Sequence, residues 1–388
     1  MCHATKRISN RHRGMAIVFT LMIMGAMLGF CSLAVDLAHV ETTKTELRRA
    51  ADAAARAAVA NLSSGTTAVQ NAAKTMAANN LADNTSVTLQ NSDIQFVNWT
   101  SSSSYTILSS ATGANGVKIT ARRTAATNNA VTLYFGGILG MKTCDVTASS
   151  IAVQFTTSQT VFVSAHSNPW LAGEPAGTLA SQPDPDYPNS DHEWKQDVAG
   201  PNGGTDPTKL YSTDYAANEP YESPTPVSIT LQPGATISVT NVSGQAQNDP
   251  AGSTYNANGN VYGTSSGQAN YDDAASGGVS EHGIADATLP LNSVLGVFLT
   301  NNVPDTQTAP AALDFSTSTA QNYTSIQPKL QQPFYIGDGL TSSNAQQTIT
   351  VPQNATRFYL GTMDGWEWSN NTGGYNATIT QTYIEIVQ

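Results

Sequence analysis

GMAIVFTLMIMGAMLGFCSLAVDLAHVETTKTELRRAADAAARAAVANL, residues 14–62, decides the architecture. From Gly14 to Val35 it carries no charge, and Asp36 ends the apolar run. Beyond Asp36 the helical spacing continues but the segment turns amphipathic. Val40, Leu47, Ala51, Ala54, Ala58 and Leu62 recur at spacings of three, four and seven, while Glu41, Lys44, Arg48, Arg49, Asp52 and Arg56 fall on other faces. Asp52 and Arg56 stand in the favourable i, i+4 order. Neither Pro nor Gly interrupts residues 31–64. The reading is one helix, membrane-embedded over 14–36 and exposed beyond. At 1.5 Å per residue it is roughly 70 Å long, against a hydrocarbon core of ~30 Å.

Working outward, residues 1–13 form a basic head with Lys6, Arg7, Arg11 and Arg13. The positive-inside rule keeps that head in the cytoplasm and sends everything after Asp36 across a bacterial inner membrane. A cleaved signal peptide is the alternative. Its apolar core is shorter, about 7–15 residues, and ends at small residues. The run here is longer and passes straight into a helix, so an anchor is preferred.

Arg13-Gly14, Ala34-Val35-Asp36-Leu37 and Leu47-Arg48-Arg49-Ala50-Ala51-Asp52-Ala53-Ala54-Ala55 resemble the N-terminal region of the TadE/TadG-like family of tight-adherence (Flp) pilus assembly. The resemblance implies a membrane-anchored assembly component with pilus-assembly proteins as partners. It marks Gly14, Val35 and Asp36 as anchor residues. GILGMKTCDVTASSIA resembles the close of the membrane-proximal region of the same family. Type IV pilin-like proteins usually carry a Glu five residues after the processing Gly. Counted from Met15, that place holds Phe19, which argues against peptidase processing.

Composition narrows the function classes. Of the residues 12% are charged, and the net charge is −11. Nucleic-acid partners want basic patches and are excluded. Of three cysteines, Cys2 precedes the span, Cys31 lies in it and Cys144 follows it. No disulfide framework is expected, and Cys144 reads as a small buried residue.

The fold class expected is α+β, mostly β. Residues 37–157 should hold the exposed helix, a second helix from Thr66 to Leu81, and strands at 86–90, 93–99, 116–123, 130–135 and 146–155. Residues 158–226 are rich in Pro, Gly and Asp, apart from a candidate strand at 161–165. They are expected to wrap the next domain, since Trp170, Leu171 and Trp194 would bury poorly in a free linker. Residues 227–388 read as an antiparallel, jelly-roll-like β-sandwich. It has a turn at Gln232-Pro233-Gly234, strands in PLNSVLGVFLT, PFYIGDGL and QTITVPQNATRFYLGTMDG, and TIT (378–380) and IEIV (384–387) to close it.

One loop of that sandwich gathers oxygen donors: Asp364, Glu367, Asn370 and Asn371, with Trp366 and Trp368 among them. Calcium takes six to eight oxygens of these kinds on a bent loop. Asn-Asn-Thr-Gly-Gly is equally an ordinary hairpin turn. With the QPG turn, the PLNSVLGVFL strand and VPQNATRFYLGTMDG, this loop resembles the LecA-type galactose-binding lectin fold. The resemblance implies calcium at Asp364, Asn370 and Asn371, and a galactose-like glycan at Asp364, Asn370 and His282. A first carbonyl ligand would fall near Gln247 or Asn248. Trp366 and Trp368 offer flat faces for a pyranose ring.

Other signals are weak. Gly263–Gly267 fits G-x-S-x-G but lies in a polar loop, not between a strand and a helix. Pro185 and Pro188 break the acidic run Asp184, Asp186, Asn189, Asp191 and Glu193. None of the six histidines forms H-E-x-x-H. Two functions follow: an anchor presenting a calcium-dependent carbohydrate module, or a purely structural pilus-assembly scaffold with a ligand-free sandwich. An enzyme is not expected.

Overall fold

The computed structural model describes residues 11–101, 104–175, 178, 224–247, 253–259, 270–271, 280, 282–364, 368 and 371–387. It is α+β and mostly β, with a long N-terminal helix and a sandwich-like C-terminal region. The chain divides into two compact units, 1–155 with 384–388, and 156–383.

In the first unit, α1 runs Arg11–Val59 and α2 runs Thr66–Ala78. The first part of α1 is long and apolar enough to cross a membrane, and none of that part is buried in the protein. The burial pattern changes after Asp36. Thr43, Leu47, Ala50, Ala51, Ala54, Ala55, Ala58 and Val59 are buried, as are Val69, Ala73 and Ala77 of α2. Alanine on both helices permits close packing on a sheet whose neighbours are Ile94–Ser101, Ser104–Leu108, Gly116–Arg123 and the start of Val146–Ser164, all antiparallel. Strand side chains alternate faces. Ile94, Phe96, Val117, Ile119 and Ala152 therefore meet the helices, while Val97, Trp99, Ile151 and Val153 pack together on the opposite face.

Several strands are shorter or longer than their sequences suggest. Of residues 86–90 only Ser86 pairs, in the small ladder of Leu81–Ala82 with Thr85–Ser86. Val87 and Leu89 are nonetheless buried. Of residues 130–135 only Val131–Thr132 pair, with Thr143–Cys144, and the rest forms the tip of that hairpin. The strand from Val146 continues to Ser164, taking in all but the last residue of the candidate strand at 161–165. Ile384 and Ile386, expected to close the sandwich, are half-buried against the core of the first unit. There Val387 N–H donates to Ile151 O at 2.9 Å.

In the second unit, Thr372–Ile386 pairs with Thr236–Gln247, and the latter with Thr348–Thr350. A second sheet places Val294–Leu299 between Phe334–Tyr335 and Arg357–Thr362, with Thr225–Pro226 on the outer edge. Between the sheets lies an apolar core that includes Ile237, Val239, Phe298, Phe334, Phe358 and Ile379. Phe298 stacks on Phe334 and Phe358 with centroids 5.5 and 4.5 Å apart. The QPG turn is present: Ala235 N–H donates to Gln232 O at 2.9 Å, and Gly234 takes φ +78°. The ladders are not all antiparallel. Ser325–Ile326 runs parallel to Thr348–Thr350, and Ala287–Pro290 parallel to Leu313–Asp314. Each of these pairs is joined by the long connection that parallel neighbours need. Trp170 and Leu171 are fully buried, and Trp170 Nε1–H donates to Ala285 O at 3.1 Å. Trp194 lies outside the described residues.

Candidate functional site

Asp36 stands where the apolar stretch of α1 gives way to its amphipathic half. It is 4% exposed. Its Oδ1 accepts the backbone N–H of Tyr134 at 2.7 Å, and its Oδ2 accepts that of Phe135 at 3.0 Å. One turn on, the His39 ring stacks on Tyr134 at 4.9 Å, and its Nε2 meets Asp83 Oδ1 at 3.0 Å. Asp83 holds a left-handed φ of +52°. Its N–H donates to Glu46 Oε2 at 2.7 Å, and its Oδ2 lies 3.3 Å from Arg123 Nη1. Arg123 Nη1 also donates to Ala82 O at 2.6 Å. A polar clasp thus ties the end of the apolar stretch to the hairpin tip and to the turn after α2.

The tip itself is apolar. Tyr134, Phe135, Ile138, Leu139 and Met141 are all exposed, Ile138 by 83%. The tip is closed by Leu133 N–H to Lys142 O at 3.0 Å and Met141 N–H to Gly136 O at 2.9 Å. A Cβ at Gly136 would stand 2.5 Å from Met141 O, so this turn requires glycine.

Of the other anchor residues named from sequence, Gly14 and Val35 both lie within α1, and Val35 is exposed. Arg56 does not turn to Asp52 as the i, i+4 spacing suggests. Its Nη1 donates to Ile384 O at 3.2 Å. Cys144 is half-buried and carries a free thiol.

The proposed calcium loop is only partly described: Trp366, Glu367 and Asn370 lie outside the described residues, as do 184–193, 263–267 and Asn248. Its two ends converge on Ala165 O, which accepts from Thr362 Oγ1 at 2.8 Å and from Asn371 Nδ2 at 2.9 Å. His166 Nε2–H donates to Asn371 O. Asp364 and Asn371 are both buried, and Asn371 Oδ1 has no hydrogen-bond partner among the described residues. Trp368 is 1% exposed. Its Nε1–H donates to Thr362 O at 2.8 Å, and its ring tilts against Trp170 at 5.8 Å. A side chain so enclosed offers no face to a sugar. Sequence alone could not separate a rim tryptophan from a core one.

His282 belongs to a different place. With φ +48° it points Nδ1 at Asp305 Oδ1, 3.2 Å away. Glu174, His282 and Asp305 bring one ligand atom each within 4.8 Å of the others, a donor set of the kind divalent transition metals accept. Burial holds the Glu174 carboxyl above its ordinary pKa, and the nearby Asp305 adds to this. The cluster sits at the Arg357 end of the Arg357–Thr362 strand, where Gly173 abuts the Arg357 guanidinium. Asp364 follows the other end, roughly 17 Å of strand away. The structure does not bring His282 together with Asp364.

The clasp lies within the stretch that matches two family models. Residues 14–61 match the family described as "Putative Flp pilus-assembly TadE/G-like". Residues 41–152 match the one described as "Putative Tad-like Flp pilus-assembly". No curated protein sequence and no solved structure matches the chain. Asp36, His39, Asp83, Arg123 and the hairpin tip all fall within the two matched stretches, so the similarity to Tad/Flp pilus-assembly families runs through these residues of the first unit.

Proposed function

We propose that the protein is a membrane-anchored, non-enzymatic component of a Tad-type pilus-assembly system. On this reading α1 spans a bacterial inner membrane with its N-terminus in the cytoplasm, and everything after Asp36 lies on the far side. The observation that carries the reading is the abrupt change along α1 at Asp36. Before it every large apolar side chain is exposed; after it a stripe of alanines is buried against α2 and a sheet. A helix with a bare apolar half and a packed amphipathic half belongs partly in lipid and partly in a folded domain. The basic head supplies the orientation.

The test is direct. The full chain should stay with membranes after an alkaline wash. Cys144 should react with a membrane-impermeant maleimide in spheroplasts, and Cys2 only after lysis. Deletion should abolish pili, with rescue by the full chain and not by a chain lacking 14–36. Release by the wash, or labelling of Cys2 in intact spheroplasts, would overturn the anchor or its orientation.

A second reading assigns the 363–371 loop to calcium and a galactose-like glycan. Its support is the pair of buried oxygen-bearing side chains, Asp364 and Asn371, at one corner of the sandwich. With Asn370 they supply the oxygen chemistry calcium prefers. Trp368 and His282 lend it no support, one being enclosed and the other lying at the opposite strand end, so Trp366 is the remaining stacking candidate. A thermal melt of the full chain in detergent decides it. A midpoint raised by millimolar calcium, and no longer raised in Asp364→Ala, supports the cage. Identical melts with calcium and chelator leave a ligand-free scaffold.

A further inference from the structure

We infer that the hairpin tip Leu133–Met141 is immersed in the lipid beside α1, as a second, non-spanning membrane contact of the first unit. This rests on the reading that α1 spans the membrane.

The first observation is chemical. From Leu133 to Met141 the tip has no charge, and its only polar side-chain group is the Tyr134 hydroxyl. Tyr134, Phe135, Ile138, Leu139 and Met141 are 68, 41, 83, 70 and 58% exposed. So many large apolar side chains at one hairpin apex form a patch that a water-facing surface rarely carries.

The second is position. The tip and α1 flank a groove of about 750 Å³, lined by Leu28, Cys31 and Val35 from the helix and by Leu133, Ile138 and Met141 from the tip. The helix residues of that groove lie in the last ten or so of the uncharged run. They rise about 15 Å along the axis at 1.5 Å each, about half the ~30 Å hydrocarbon core. Any bilayer placement that covers Gly14–Val35 therefore covers the tip as well.

The third is hydrogen bonding. Irregular backbone can enter lipid only if its polar groups are satisfied within the protein. Tyr134 and Phe135 give their N–H groups to Asp36. Leu133, Ile138, Gly140 and Met141 give theirs to Lys142, Phe135, Gly137 and Gly136. The Asp36 carboxylate thereby removes two backbone donors from the lipid-facing loop. Exposed Lys142 at the base of the tip and the Tyr134 hydroxyl are the kinds of group that settle among headgroups.

The test uses the full chain in vesicles of phosphatidylethanolamine and phosphatidylglycerol. Cysteines other than the probe are replaced by serine. An environment-sensitive fluorophore is placed at Ile138→Cys, at native Cys31 in the span, or at Thr67→Cys, exposed on α2. Spin-labelled lipid should quench the labels at 31 and 138 severalfold more than the label at 67, and aqueous iodide should do the reverse. Equal iodide quenching at 138 and 67 puts the tip in water and overturns the inference alone. Shielding of 138 from both quenchers means that protein, a second copy or a partner, covers the tip, and this also overturns the lipid occupant. A Cys31 label that lipid quenchers do not reach overturns the span itself and this inference with it. Leu139→Cys repeats the measurement at a neighbouring exposed site.

Discussion

Asp36 Oδ1 accepts the backbone N–H of Tyr134 at 2.7 Å, across a sequence separation of 98 residues. The same carboxylate takes the Phe135 N–H as well. One acid at the end of the apolar helix thus holds the apex of a hairpin that the chain builds much later.

Removing that acceptor should be costly. Asp36→Ala strands two backbone donors that a charged group satisfied, and each such loss is worth about 1.5–3 kcal/mol. We expect Asp36→Ala to lower the stability of the full chain in detergent by about 3 kcal/mol. Asp36→Asn should recover part of this, since an amide oxygen still accepts. Denaturant unfolding followed by circular dichroism measures both. An unchanged midpoint for Asp36→Ala would mean that the hairpin is held by something else.

The tip offers a paired glycine test. A Cβ at Gly136 meets Met141 O at 2.5 Å and Leu133 Cδ1 at 2.6 Å, whereas a Cβ at Gly137 meets nothing within 4 Å. Gly136→Ala should therefore destabilise by about 1–3 kcal/mol. Gly137→Ala should stay within about 0.5 kcal/mol of the parent. Similar unfolding midpoints for the two variants would refute the close approach of Gly136 to the Met141 carbonyl.

Much of the first unit is legible in sequence, and what escapes does so for physical reasons. Leu47, Ala51, Ala54 and Ala58, picked by helical spacing, are buried, because a helix period maps directly onto one face. The strand at 116–123 runs over the residues its β-branched pattern suggests. The tip at 133–141 does not read correctly, since apolarity looks the same in a core strand and in an exposed hairpin apex. The role of Asp36 is likewise invisible. Its partners are main-chain N–H groups, which leave no side-chain signature at positions 134 and 135. Trp368 fails as a sugar platform because a loop tryptophan beside acids and amides reads as surface until its neighbour Trp170, distant in sequence, is seen against it. His282 fails by topology: a residue-by-residue resemblance carries no information on which strand end a loop occupies.

Trp368 yields a prediction that separates packing from ligand contact. Trp368→Ala should cost about 3–5 kcal/mol as a truncated core aromatic. Trp368→Phe should cost less, losing chiefly the hydrogen bond to Thr362 O. Neither cost should depend on galactose. A Trp368→Phe chain of parental stability, whose melt loses a galactose response that the parent shows, would return this residue to a binding role.

Glu174 ties stability to pH. Burial raises its pKa above the ordinary 4.5, and the charge of Asp305 adds to this. His282, the N–H of Asp305 and Arg357 oppose it. With the folded pKa above the unfolded one, the native state binds the extra proton. Stability therefore falls as pH rises from 4.5 through the folded value, and the whole cost is present above it. Glu174→Gln removes the ionisation, so it should raise the melting midpoint at neutral pH. That gain should shrink as pH falls from the folded value towards 4.5 and be lost below it. In a His282→Ala background the neutral-pH gain should be larger, because the imidazole no longer offsets the two carboxylates. Melting curves of the four chains across pH check this. A Glu174→Gln gain that is the same at acid and neutral pH would show that Glu174 ionises there as freely as in the unfolded chain.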